Sequence, residues 1–430
     1  MASTPLLSRP DLAAVPVPEV HDAYDAWSLE GWSDRELAAA VGEVVAVPKE
    51  APADSFVLHA PLELLARVGL LRAVRPEARD GARRRLVWLA ASYGAAGPPV
   101  EEPAPLDERP PVDLAGDLAA ALAAGDLDDV DRLALALGRR VAPDDLRRLL
   151  AEPVAASLAA AAHGSILLHL LPRVAPQGEV TGAVLRGPAR ELARMPSWRL
   201  RWFEDPDEPV AGTPLADALL DVPGLGLPGS DFIHPIMNQA EESGLAARLL
   251  GGVLAAEPDP VAVRRELARV AALSMLQEPP DFAPYGWSHC LTMPQAVLGL
   301  AGRGAPPRTA VAVAATHVVG FRAALGVRTL DGRYEPPLPA TTDLREAIAA
   351  GPEEAAATAF HAPDEALAEV VTELATRASL HHDAHLVKYT LACLDAAADD
   401  PPCRRLHLAA AASLSAWWAG HPEDGFLSLK

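Results

Sequence analysis

The chain is 430 residues long, half of them apolar and 5% aromatic, with a formal net charge of -21. That charge argues against a nucleic-acid or anionic-membrane partner, and no basic stripe with interleaved aromatics offsets it. Ala, Leu, Arg and Glu favour helix and alternating β-branched runs are scarce, so an all-α fold is expected, a compact array of a dozen or more helices with Pro- and Gly-rich connections.

Residues 1–54 are expected to be loosely structured, with one short helix near 35–45. The N-terminal stretch lacks a basic region followed by a long apolar core, so it does not read as a secretory signal. No run of 18 or more residues is free enough of charges and breakers to span a membrane. The three cysteines, Cys290, Cys393 and Cys403, have no CxxC spacing and read as reduced thiols of a cytoplasmic protein. Residues 55–430 are expected to form a single helical domain. Apolar periodicity runs through 61–71 and 83–94, and the DGARRRL run at 80–86 reads as a solvated helix face. The Pro- and acid-rich stretch 95–114 is a linker or a long surface loop. Helices then follow at about 113–124, 127–138, 143–171, 182–195, 235–254 and 259–276. Further helices fall near 289–301, 308–325, 341–350, 363–379, 380–399 and 402–419. No internal repeat or heptad pattern is present.

Of 37 basic residues, only three are lysine: Lys49, Lys388 and Lys430. Lys388 alone lies inside an apolar helical segment, HHDAHLVKYTLAC (381–393). Burial can make a lysine neutral, whereas an arginine stays charged. On a helix at about 100° per residue, His381, His385 and Lys388 share one stripe and Asp383 points away. A neutral amine can ligate a metal, or react with carbon dioxide to give a carbamate, an oxygen ligand. Snorkelling, or an ion pair with Asp383 or Asp395, is the alternative role for Lys388. Several histidines sit in apolar or Ala-rich helical settings: His59, His163, His169, His234, His289, His317 and the 381–385 group. One such residue reads as core; this many together read as material for a metal site inside a helical bundle.

Four segments resemble, in order, segments of the questin oxidase-like family. LHAPLELLARVGL resembles its NHxPMxLxALxRLG segment and AAAHGSILLHLL its FHGLIRLAY segment. DFIHPIMNQAEESGLAARLL resembles LLHxVTxxxALRxLL, and DAHLVKYTLACLDAA resembles the C-terminal (D/E)HxxK(F/Y/L)TxA segment. Departures are Leu58 where the family has Asn, and HPIMN in place of HxVT. The resemblance implies a helical non-haem iron oxygenase acting on anthraquinone-type polyketides with dioxygen. It implies Fe(II) held by four histidines and a carboxylated lysine, here His59, His163, His234, His385 and Lys388, with carbon dioxide consumed by the lysine. His289, among Tyr285, Trp287 and Cys290, reads as a catalytic acid–base group or a support to the ligands. The partner implied is a small aromatic substrate.

Two other readings compete. His382-Asp383 is an adjacent His-Asp pair, as in helical HD-type metal-dependent hydrolases, with His317 and Asp395 as further candidates. A non-catalytic helical binding protein would use the histidines as core. No GxSxG, HExxH or GxGxxG fingerprint is present, and Glu241-Glu242 reads as a solvated face.

Overall fold

Twenty α-helices and no sheet make up the described part of the chain, which covers residues 10–174, 182–204, 214–226 and 233–420 of a computed structural model. The helices that build or brace the site are labelled in chain order: α1 (Ser55–Leu70), α2 (Arg79–Ala95), α3 (His163–Val174), α4 (His234–Glu242), α5 (Ser288–Leu300), α6 (Pro307–Leu325), α7 (Leu367–Leu380), α8 (Ala384–Asp399) and α9 (Arg404–Ala419). Four of them close a ring of contacts: α1 packs on α3, α3 on α5, α5 on α8 and α8 on α1. Their facing sides are Leu, Ala and Val buried almost completely, and one continuous core runs from Leu12 to Trp418.

The N-terminal segment is not loose. Leu12, Val15, Val20, Tyr24 and Leu29 are buried, and short helices at Val20–Ala26 and Asp34–Val45 pack on α2. The anchor is the arginine run expected to be a solvated face. Arg83 donates to Tyr24 Oη (3.0 Å), Asp34 Oδ1 (2.8 Å) and the carbonyls of Leu29 and Trp32 (both 2.6 Å). Arg84 bonds Asp80, the His21 carbonyl and Asp25. Arg85 reaches the Leu380 carbonyl at 2.7 Å. All three are buried. A charge run looks solvated in one dimension, but guanidinium forks are well suited to tying distant carbonyls and carboxylates together. The Pro-rich stretch is a surface loop held down by Arg139 on Glu102 and by Arg140 on the carbonyls of Leu106 and Asp107.

The expected single helix over 143–171 is two, Pro143–Ala155 and α3, separated by a turn in which Ala160, Ala161 and Ala162 all take positive φ (50°, 49° and 58°). The 380–399 segment also starts later. Its N-cap is Asp383, so His381 and His382 lie in the α7–α8 joint, and His381 is not on the Lys388 stripe of the helix.

Candidate metal centre

Each helix of the ring delivers one histidine from its first five residues: His59 from α1, His163 from α3, His289 from α5 and His385 from α8. The ligand-capable atoms of His59, His163 and His289 lie within 4.8 Å of one another. The His385 ring sits 4.5 Å from that of His59 and 5.0 Å from that of His289, centroid to centroid. His59 Nε2 and His163 Nε2 are 3.0 Å apart. Two nitrogens bonded at about 2.1 Å and at right angles to one first-row ion would be separated by about 3.0 Å. Lys388, one turn after His385 on α8, places Nζ 3.4 Å from His163 Nε2 and is 3% exposed.

In all four rings Nδ1 is tied to a group close by in sequence. His59 Nδ1 bonds the Ser55 carbonyl at 2.5 Å, His163 Nδ1 the Ala161 carbonyl at 2.7 Å, and His289 Nδ1 the Tyr285 carbonyl. His385 Nδ1 bonds Asp383 Oδ1 at 3.0 Å. Fixing Nδ1–H leaves Nε2 as the free lone pair, the arrangement that orients metal-ligating imidazoles. The local structure supplies these acceptors in three ways. The left-handed turn at 160–162 folds its carbonyls back onto His163. A π-helical turn, Ala283–Trp287, precedes α5 and offers the Tyr285 carbonyl. Asp383 N-caps α8, one oxygen accepting both the backbone N–H of His385 (2.7 Å) and its ring.

Burial, then the nearby Lys388 charge, holds the His59, His163 and His289 imidazoles well below their ordinary value, so these rings are neutral at pH 7 and able to act as ligands. Burial and Lys388 also lower His385, against the hydrogen bond to Asp383. Burial pulls the Lys388 ammonium down to about 7, although Asp383 and Glu63 oppose it. A large share of that amine is therefore neutral at physiological pH. Four neutral imidazoles and one titratable amine make a donor set that suits a divalent transition metal.

The α7–α8 joint behind the site is held by buried arginines. Arg67, two turns along α1 from His59, is 1% exposed. It donates to Glu63 Oε1 (2.7 Å) and to the carbonyls of Ser379 (2.8 Å) and His381 (2.6 Å). With Arg85 on Leu380, three successive carbonyls at the end of α7 are satisfied. These bonds set where Asp383 begins α8, and so where His385 points.

The site opens into a cleft of about 740 Å³ lined by the four histidines, Leu58, Leu158, Trp198, His234, Phe282 and Tyr285, among others. His234 lines the cleft but does not join the cluster. It opens α4, which packs chiefly on α6, and its ring stacks on Trp198 at 3.8 Å and 15°. The fourth converging imidazole is His289, not His234. The sequence signal for this was the spacing of His289 from the Tyr285 carbonyl one turn earlier, legible only once the π-helical turn is known. His317 is buried within α6, outside the cluster. His381 stacks on His382 at 4.4 Å, behind the site. Asp395 pairs with Arg173 at 2.5 Å, and Glu241, expected to be solvated, accepts the backbone N–H groups of Arg201 and Trp202. The three cysteines are free, and among the described residues no helix is long and apolar enough to cross a membrane.

Comparisons with protein-family models, with curated proteins and with solved structures find no match for this chain.

Proposed function

We propose that this chain is a non-haem iron-dependent oxygenase that oxidises or cleaves a small aromatic, polyketide-type substrate with dioxygen, working in the cytoplasm. The observation that carries the reading is the convergence of four Nδ1-anchored imidazoles with a buried, partly neutral lysine. His59, His163, His289 and His385 would hold the metal, and Lys388 would complete the set. The Lys388 amine is poised to add to carbon dioxide. Its lone pair forms the N–C bond and one proton leaves, giving a carbamate whose oxygen carries a negative charge next to the cation. Bound there, iron would supply the one-electron chemistry that allows dioxygen to react with a closed-shell organic molecule. The N-terminal ends of four helices meet at this place, which favours an anionic group such as the carbamate or a substrate phenolate. The apolar cleft would exclude water and seat the substrate beside the metal.

The HD-type hydrolase reading needs Asp383 on the metal side. Asp383 instead holds His385 Nδ1 from behind, and Asp395 and His317 lie elsewhere, which supports the oxygenase over the hydrolase.

The test is elemental analysis of anaerobically purified wild type and Lys388→Arg, both with bicarbonate. About one iron per chain in the wild type, lost in the variant, is the expected result, on the stoichiometry of one closed ligand set. Equal metal in both would make Lys388 incidental. No metal in either would leave a helical binding protein.

A further inference from the structure

We infer that Trp198 and His234 form the substrate-recognition wall of the cleft, a stacked pair whose imidazole edge hydrogen-bonds an oxygen substituent of a planar ring seated against it. The assignment rests on the cleft being a substrate site and deepens that reading.

Three observations lead to it. First, His234 differs from the four clustered histidines in its hydrogen bonding. Each of those has Nδ1 tied to a group close by in sequence, whereas the His234 ring makes no hydrogen bond to a described residue while lining the cleft. Its ring is half-buried and burial lowers its pKa, so it is a neutral imidazole presenting one donor and one acceptor. Second, the ring is already oriented. Stacking on Trp198 at 3.8 Å and 15° fixes its plane, covers one face of the imidazole with the indole and leaves the ring nitrogens at its edge.

Third, the stacked pair is registered to the histidine cluster through the backbone. The Trp198 carbonyl accepts from Leu158 N–H at 2.7 Å, and Leu200 N–H donates to the Ala156 carbonyl at 3.0 Å. Ser157 and Arg199 form an antiparallel bridge between the same segments. The 156–158 segment continues directly into the left-handed alanine turn and His163. The wall and one metal-facing imidazole therefore share a few residues of rigid chain. The lining includes the apolar Leu58, Leu158 and Ile233 beside Ser55 and Asp281, and two exposed aromatics, Phe282 and Tyr285, stand at the cleft. This chemistry recognises a flat, largely apolar ring system with a hydroxyl or carbonyl oxygen at one edge.

The experiment is equilibrium dialysis of full-length protein, as purified, against 2-naphthol and against naphthalene, with iron measured in the same samples. Wild type should bind 2-naphthol roughly three- to tenfold more tightly than naphthalene, the span of one neutral hydrogen bond. His234→Phe keeps a flat ring and removes the hydrogen bond. It should bring 2-naphthol down to the naphthalene affinity and leave naphthalene unchanged. Trp198→Leu should weaken both probes. Iron content should be unchanged in both variants, while His163→Ala loses it. Loss of iron in His234→Phe would make His234 a ligand and overturn the wall, as would unchanged preference for 2-naphthol. Protein that lacks iron in every sample but keeps this binding pattern would sustain the wall and overturn the iron reading alone.

Discussion

One oxygen of Asp383 accepts both the backbone N–H and the ring Nδ1 of His385, and substitution can separate the two bonds. Burial raises the Asp383 carboxyl, but the hydrogen bonds it accepts from the His385 ring and backbone N–H lead the opposing effects and leave Asp383 below its usual range. It is an anion that raises the basicity of the imidazole it holds. Asp383→Asn keeps an acceptor for the helix cap and removes the charge. It should weaken metal binding about 10- to 100-fold while changing stability by less than about 1 kcal/mol. Asp383→Ala should lose both the metal affinity and roughly 1 kcal/mol of cap. Chelator competition reads the first effect and urea unfolding the second; wild-type affinity in Asp383→Asn would reduce the carboxylate to a helix cap. Single residues were the most legible level. His59, His163, His385 and Lys388 stand out along the chain by residue type and apolar setting alone. The difference at this scale, His289 rather than His234 at the meeting point of the helices, has a physical source. What points a histidine into the cluster is the group that fixes its Nδ1, and for His59, His163 and His289 that acceptor is a backbone carbonyl whose direction is set by local geometry.

Secondary elements carry a second kind of information, visible at their ends. Three successive alanines with positive φ before α3 are costly, since a left-handed L-residue is disfavoured by roughly 1–2 kcal/mol. Their carbonyls orient His163, so strain and site coincide. Ala161→Gly should melt no lower than wild type and retain metal, because glycine removes the Cβ clash at φ 49°. Ala161→Val should melt clearly lower. Thermal unfolding of the two variants decides this, and a destabilised glycine variant would contradict the left-handed turn. At the other end of the site, Arg67 joins α1 to the α7–α8 joint. Arg67→Met leaves the Glu63 carboxylate buried alone and the Ser379 and His381 carbonyls without their donor, which should cost about 3–5 kcal/mol in urea unfolding. Adding Glu63→Leu should recover part of that loss. From the sequence the helical periodicity was plain, but the break at 160–162 was not, because an Ala-rich stretch signals helix whichever hand its tertiary contacts impose.

The molecule as a whole buries several neutral histidines away from the cluster. Burial holds His317 at about 4, and burial also holds His407 at about 4 although Asp400 opposes it. In the unfolded chain an imidazole titrates near 6.5, so between about 4 and 6.5 the unfolded chain holds a proton that the native one lacks. Stability therefore rises with pH across that window and is lost on acidification through it. The slope is at most roughly 1.4 kcal/mol per pH unit for each such histidine. Urea unfolding at steps from about pH 7 to about pH 4.5 should show this, and His317→Leu should flatten the curve by up to one proton. An unchanged slope would place a charged imidazole in the native core.

Composition alone determined that the chain is helical, because Ala, Leu, Arg and Glu leave few other options. The sequence also marked Lys388, one of three lysines and the one inside an apolar helical segment, because burial can strip a lysine of its charge but not an arginine. Tertiary structure alone decided which histidines meet and what the arginine run does. It also turned the expected loose N-terminal residues into a packed layer against α2. Convergence depends on where four helices begin and which carbonyls face inward, and those directions are set by contacts between segments hundreds of residues apart, such as Arg67 on Ser379 and His381, which periodicity along the chain does not encode.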